Sequence, residues 1–419
     1  VPVCHQDFLR EAAHNLNSWK NSMSNSKQNP FELEHTWVHI QYEEAAGFAE
    51  TYGFSGNQGA VNIEGILIRP KGIPSKTLLV FMHPASTLQL LPVPRAAALQ
   101  GAHVLCAASR YAKNDAALIM EKVLLDLGAY IRHAKERWGY EKIVLVGWSG
   151  GGSLALFYQA EAERPSITHT PAGDPVNVKG AGLIPVDAIV FQAAHISRPR
   201  MLSEIIDPSV TDELNPDRRD AEFDIYDKSN PNKPPYSSDF IAEFRKRQIQ
   251  RIGRIRANVL QTLEDLKKRN TGELERGFVT HRTMADPRFL DPTIDPNDRK
   301  PGWCYMGNPE TVNTGPVGLG RFSTLRSWLS QWSPQDSRAD GLICAGKITV
   351  PFLAVENSAD DAAPQPHAKL VFDAAASQDK TFRVIKGATH YYANQPALLA
   401  EATTLLQDWL AARNIHIRQ

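Results

Sequence analysis

The sequence predicts an α/β protein, with a mostly parallel, doubly wound sheet interrupted by one large, mainly helical and irregular insertion. Three observations carry that prediction. From Leu78 onward, apolar β-branched runs alternate with helical stretches, the pattern of a parallel sheet covered on both faces. One such unit reads as strand, tight turn and helix: Lys142-Ile143-Val144-Leu145-Val146, then Gly147-Trp148-Ser149-Gly150-Gly151, then Leu154-Ala155-Leu156-Phe157-Tyr158. Between about residues 196 and 346 the alternation stops, and it resumes at Val350.

Bulk properties narrow the classes. The 419 residues suffice for a sizeable core. Lys+Arg and Asp+Glu both total 46, so the formal net charge is zero and nothing argues for a nucleic-acid or anionic-membrane partner. No apolar run approaches the ~18–20 residues of a membrane span. The first residues lack a charged segment followed by an apolar one, so no signal peptide is expected. The cysteines Cys4, Cys106, Cys304 and Cys344 are scattered without a Cys-x-x-Cys pair, and no Asn-x-Ser/Thr sequon occurs. A reduced, cytoplasmic protein is the expectation.

In chain order, Phe8, Leu9, Ala12, Leu16 and Trp19 fall at helical spacing and predict an amphipathic arm within residues 1–34. Such an arm packs on its own domain or on a partner subunit, which is compatible with a homodimer. The core's first part, 35–195, opens with strand-like runs at His35–Gln41 and Ala60–Arg69, suited to an antiparallel entrance. Further runs follow at Thr77–His83 and Ala102–Ala108, then a helix over Asp115–Arg137, where Leu118, Val123, Leu124, Leu127 and Ile131 repeat on one side. After the serine turn, Asp187–Ala194 reads as the next buried strand.

Residues 196–346 form a cap, rich in Pro, Asp, Asn and Arg, with one clear helix over Ser238–Lys268. The basic residues crowding that helix, among them Arg245, Arg247, Arg251 and Arg256, read as a solvated or salt-bridged face. The core's second part, 347–419, carries strands at Val350–Val355 and Thr381–Ile385 and a closing helix at Pro396–Ala412.

Three loops carry the chemistry. Gly147-Trp148-Ser149-Gly150-Gly151 between strand and helix is the context of a nucleophile elbow. The acidic loop Glu356-Asn357-Ser358-Ala359-Asp360-Asp361 follows one strand, and Lys386-Gly387-Ala388-Thr389-His390-Tyr391 follows the next. In a parallel sheet, loops that follow strands emerge at one edge and can meet there. In these residues, and in their order Ser, acid, His, the chain resembles the serine-nucleophile branch of the α/β-hydrolase fold superfamily. The resemblance covers roughly residues 35–195 and 347–412, with the cap inserted between the sixth and seventh strands of that family's sheet.

The resemblance implies site residues. Ser149 would be the nucleophile and His390 its base, with Asp360 as the acid because the family places it four residues before a proline, here Pro364; Asp361 is the rival. Asn357 stands where that loop usually has glycine, and asparagine tolerates left-handed backbone angles. The oxyanion hole would use the N–H groups of Gly150 and Ala85. His83-Pro84 stands where the family has His-Gly, and His83 reads as a loop anchor.

Among substrate-binding candidates, Trp148 lies in the elbow and Tyr391 beside His390, while His195 and Arg110 each follow a strand. Trp303 and Tyr305 belong to an aromatic concentration in the cap with Phe322, Trp328 and Trp332. No metal-ligand spacing, phosphate loop or dinucleotide fingerprint is present, so no cofactor is expected. The expected activity is hydrolysis of an ester, lactone or related acyl bond of a small, rather apolar molecule through an acyl-enzyme. A carbon–carbon hydrolase with the same three residues, and a binding protein that reuses the fold, are the alternatives.

Overall fold

The computed structural model describes residues 31–44, 60–295 and 297–418. The arm expected over residues 1–34 lies outside the described residues as far as residue 30, and Leu33 already begins the first strand.

Eight strands form one sheet in the order β1-β2-β4-β3-β5-β6-β9-β10. They are β1 (Leu33–Glu43), β2 (Ala60–Pro70), β3 (Thr77–His83), β4 (His103–Ala108), β5 (Lys142–Ser149), β6 (Ala188–Ala194), β9 (Phe352–Asn357) and β10 (Lys380–Ile385). β2 runs antiparallel to β1 and to β4, and every other pairing is parallel. Position in the sheet explains the patterns. In edge strand β1, Val38 and Ile40 are buried while Trp37 and His39 face solvent; β4 and β6 are buried throughout.

Two cores flank the sheet, and the strand period of two deals residues between them. Leu78, Val80, Leu105 and Leu145 pack against α2 (Met120–Glu136) and α3 (Gly150–Glu163). Leu79, Phe81, Val104 and Val146 pack on the other face, against α1 (Pro92–Leu99) and the closing helix Pro396–Ala411. The helix expected over Asp115–Arg137 begins only at Met120. Tertiary partners hold the missing turn: the Asp115 carboxylate takes Arg198, and its carbonyl accepts from Gln331 Nε2 at 2.6 Å.

Between β6 and β9 the chain leaves the sheet. This insertion holds α4 (Arg198–Ile205), α5 (Ser238–Arg269), the ribbon β7 (Gly277–Val279) with β8 (Phe322–Thr324), and α6 (Pro309–Thr314), α7 (Leu325–Gln331) and α8 (Gly341–Ala345). It has its own core, in which Leu202, Ile252, Ile255, Trp328 and Trp332 cluster. The basic face of α5 is salt-bridged: Arg245 to Asp286 at 2.7 Å, Arg247 to Asp220 at 2.6 Å, Arg251 to Glu213 at 2.7 Å and Arg256 to Asp336 at 2.6 Å. Arg251 is wholly buried, a structural cation inside the insertion. Among the described residues no helix is long and apolar enough to cross a membrane.

Candidate active site

β3, β5, β6, β9 and β10 all run in one direction, so His83, Ser149, His195, Asp360 and His390 lie at or just beyond the same sheet edge. Ser149 closes β5 and caps α3 with φ +55° and ψ −126°, a conformation that side chains rarely adopt. Close approach of strand and helix holds it there. A Cβ on Gly147 would stand 2.5 Å from Gly152 Cα, and one on Gly151 would stand 2.3 Å from the Met82 carbonyl oxygen. No side chain fits at either position. The neighbouring strand adapts, because its pairing skips Ala193, which has φ +45°.

His390 Nδ1 lies 3.0 Å from Asp360 Oδ2, and the two residues are 1% and 3% exposed. The other carboxylate oxygen of Asp360 accepts the N–H groups of Ala362 and Ala363 at 2.8 and 2.7 Å. Those bonds fix the carboxylate's orientation. Asp361 makes no bond to His390; burial and the adjacent Asp360 push its carboxyl up to about 6.

Asn357 does not take left-handed angles. It ends β9 in extended conformation, and its side chain ties the acid loop to the histidine loop. Nδ2 donates to the Thr389 carbonyl at 2.9 Å, and Oδ1 accepts from the Tyr392 hydroxyl at 3.0 Å. Gln192 of β6 donates to that hydroxyl at 2.9 Å, which ties β6, β9 and the loop after β10 together beneath the site. Sequence reasoning passed over Gln192 and Tyr392. A buried polar residue within an apolar strand, as at Gln192, is the signal that marks such a tie.

Aromatic rings surround the imidazole. Trp148 lies 4.4 Å from the His390 ring between centroids, and its Nε1 donates to the His390 carbonyl at 3.2 Å. Tyr391 meets the ring edge-on at 4.9 Å, and Tyr305 reaches in from the insertion at 6.4 Å. His195 is buried, with Nδ1 unbonded among the described residues; burial first, then His367, Arg198 and His390, push its pKa down to about 3, so it is neutral.

Arg110 and Ala85 are engaged elsewhere, and Trp303 is exposed. Arg110 is not offered to a substrate, because its guanidinium binds Asp126 at 2.9 Å, Glu44 at 2.6 Å and the Tyr42 hydroxyl at 2.6 Å. That network joins β1 and the turn after β4 to α2. Trp303 is 42% exposed, its ring facing the Lys300 ammonium at 4.8 Å, so it belongs to the surface. Ala85 does not aim its N–H at the elbow. It donates to His83 Nδ1 at 3.1 Å, as does the Ser86 N–H. Gly150 remains directly after Ser149 as the first residue of α3, where helix N–H groups have no intrahelical partner.

No protein-family model matches the chain, and no curated protein matches it. Solved structures resemble it at low identity. DcsB in complex with its substrate analogue is 13% identical, the match covering 90% of this chain and 99% of that one, with a TM-score of 0.48. Est1E from Butyrivibrio proteoclasticus is 15% identical over 86% of this chain and 98% of that one, with a TM-score of 0.43. A monoacylglycerol lipase of Paleococcus ferrophilus is 16% identical over 81% and 96%, with a TM-score of 0.39. The chain's own strand order, its antiparallel β2 and the serine elbow between β5 and α3 are those of the α/β-hydrolase fold, and this is the fold the chain adopts.

Proposed function

We propose that the chain is a serine hydrolase that cleaves an ester, lactone or related acyl bond of a small, rather apolar molecule. The observation that carries this reading is the strained Ser149 at a sheet edge that also holds a buried His390–Asp360 pair. With its Nδ1 proton donated to Asp360, His390 presents Nε2 as an acceptor. Ser149 Oγ attacks the carbonyl carbon as His390 Nε2 takes its proton, and that proton then goes to the leaving oxygen. Asp360 holds the imidazole in the required tautomer and stabilises the imidazolium. Water activated by the same nitrogen then releases the acid and restores Ser149. The Gly150 N–H receives the oxyanion. Trp148, Tyr391 and Tyr305 give the site apolar walls, which suits a small substrate with little charge.

Intact-mass spectrometry after incubation with a fluorophosphonate tests this reading. The expected result is one adduct on the wild type, absent from Ser149→Ala and from His390→Ala. An unlabelled wild type, or labelling that survives in Ser149→Ala, overturns it.

A further inference from the structure

We infer that the side chain of His83, through Nε2–H, is the second oxyanion donor of this site, in the place where a backbone N–H of the loop after β3 was expected. The inference rests on the serine-hydrolase reading and adds a catalytic residue to it.

The backbone donor is committed elsewhere. The peptide between Pro84 and Ala85 has both polar groups occupied: its carbonyl accepts the Ser109 hydroxyl at 2.5 Å, and its N–H donates to His83 Nδ1 at 3.1 Å. The next carbonyl, that of Ala85, accepts the Lys113 N–H at 2.7 Å. Turning the Ala85 N–H toward Ser149 would break both bonds of the first peptide.

Those same bonds decide the state of the imidazole. Nδ1 accepts from two backbone N–H groups, Ala85 and Ser86, so it carries no proton. The single proton of a neutral ring therefore sits on Nε2. An imidazolium would set an Nδ1–H against two other N–H groups. Burial first, then the nearby Arg198, His195 and His390, also hold His83 well below the ordinary histidine range.

That Nε2–H points at the elbow. A Cβ on Gly150 would stand 2.8 Å from His83 Nε2, against 3.3 and 3.5 Å from the two adjoining ring carbons. The Nε2 edge of the ring thus faces the residue whose own N–H forms half of the hole. Among the described residues Nε2 has no hydrogen-bond partner, so its proton is free to bind a third group. During acylation the carbonyl π pair moves onto oxygen as Ser149 Oγ bonds to carbon. That oxygen then accepts hydrogen bonds from Gly150 N–H and His83 Nε2–H, and His83 neither gains nor loses a proton. A neutral imidazole acting as an electrophile in this way needs its pKa kept low, which is the condition found here.

Two substitutions separate this role from loop anchoring. His83→Asn keeps an acceptor where Nδ1 stands and removes the Nε2 donor. His83→Gln restores an N–H near Nε2 and removes the acceptor. With p-nitrophenyl acetate as the probe, His83→Asn is expected to lower kcat by about 10²–10³-fold with KM little changed. His83→Gln is expected to retain at least about ten times the kcat of the Asn variant, because it keeps the donor. The opposite order, with Asn near wild type and Gln impaired, overturns the inference and leaves His83 an anchor.

If both variants fail to fold, ¹⁵N-histidine NMR of the wild type decides. The inference expects a protonated Nε2 whose proton moves downfield when phenylboronic acid forms its tetrahedral adduct on Ser149. An Nδ1–H tautomer, or an Nε2 proton unmoved by the adduct, overturns it. A wild type that neither turns over the ester nor takes a fluorophosphonate removes the hydrolase reading and this one together. Wild-type turnover that His83→Asn preserves removes this one alone.

Discussion

His390 and Asp360 face each other across the ends of two adjacent parallel strands, Nδ1 to Oδ2 at 3.0 Å, with both side chains buried. The bond selects the Nδ1–H tautomer, which an amide in place of the carboxylate would no longer enforce. Asp360→Asn is expected to lower kcat by about 10³–10⁴-fold with the fold intact. Asp361→Asn is expected to cost less than about tenfold, since Asp361 makes no bond to the imidazole. Steady-state ester hydrolysis by both variants checks the ordering, and the reverse result would exchange the two roles.

Asp361 has a separate thermodynamic signature. Its carboxyl rises from 3.8 to about 6, through burial first and then the charge of Asp360. A raised acid favours the folded state most when protonated, so its contribution is whole below about 3.8 and lost as pH rises through about 6. Asp361→Asn is therefore expected to stabilise the protein at pH 8 by on the order of 1–3 kcal/mol, and to change little at pH 4. Chemical denaturation at the two pH values reads this directly. Equal effects at both would show that the charge is not responsible.

Gly147 carries the elbow. Its hypothetical Cβ would meet Gly152 Cα at 2.5 Å and the Gly151 carbonyl oxygen at 2.6 Å, backbone atoms that cannot rotate aside. Gly147→Ala is expected to cost about 3 kcal/mol or more through overpacking. Any folded fraction should label slowly with fluorophosphonate, because Ser149 is displaced. A thermal melt and a labelling time course measure the two effects.

Arg110 is a structural cation. Removing it leaves Asp126, whose side chain is fully buried, without its guanidinium. Arg110→Ala is expected to destabilise the fold by about 3–5 kcal/mol while the KM of the surviving protein stays unchanged. Arg110→Lys should recover only part of the loss, since an ammonium cannot make the forked contacts to Asp126, Glu44 and Tyr42. Urea melts with parallel kinetics test both statements. A raised KM with unaltered stability would return Arg110 to the substrate site.

Short-range periodicity determined much of this molecule from the sequence alone. The run Thr77–His83 is a strand with those same ends, the helix from Ser238 extends one residue beyond expectation, and the glycines around Ser149 mark the elbow. Alternation of period two and repeats of 3.6 are written in adjacent residues, as is the steric demand of a tight turn, so such features survive reading in one dimension.

Only the tertiary structure decided which way polar groups point. Asp360 and Asp361 are chemically identical neighbours, and the N–H groups of Ala362 and Ala363 orient the one that meets His390. Arg110 sits after a strand like His195, yet partners at Glu44 and Asp126 draw it away from the site. Ala85 follows a strand in the position of a backbone donor, yet His83 Nδ1 receives its N–H and leaves Nε2 facing Gly150. A hydrogen bond's direction depends on groups distant in the chain, and their meeting depends on the folded sheet edge.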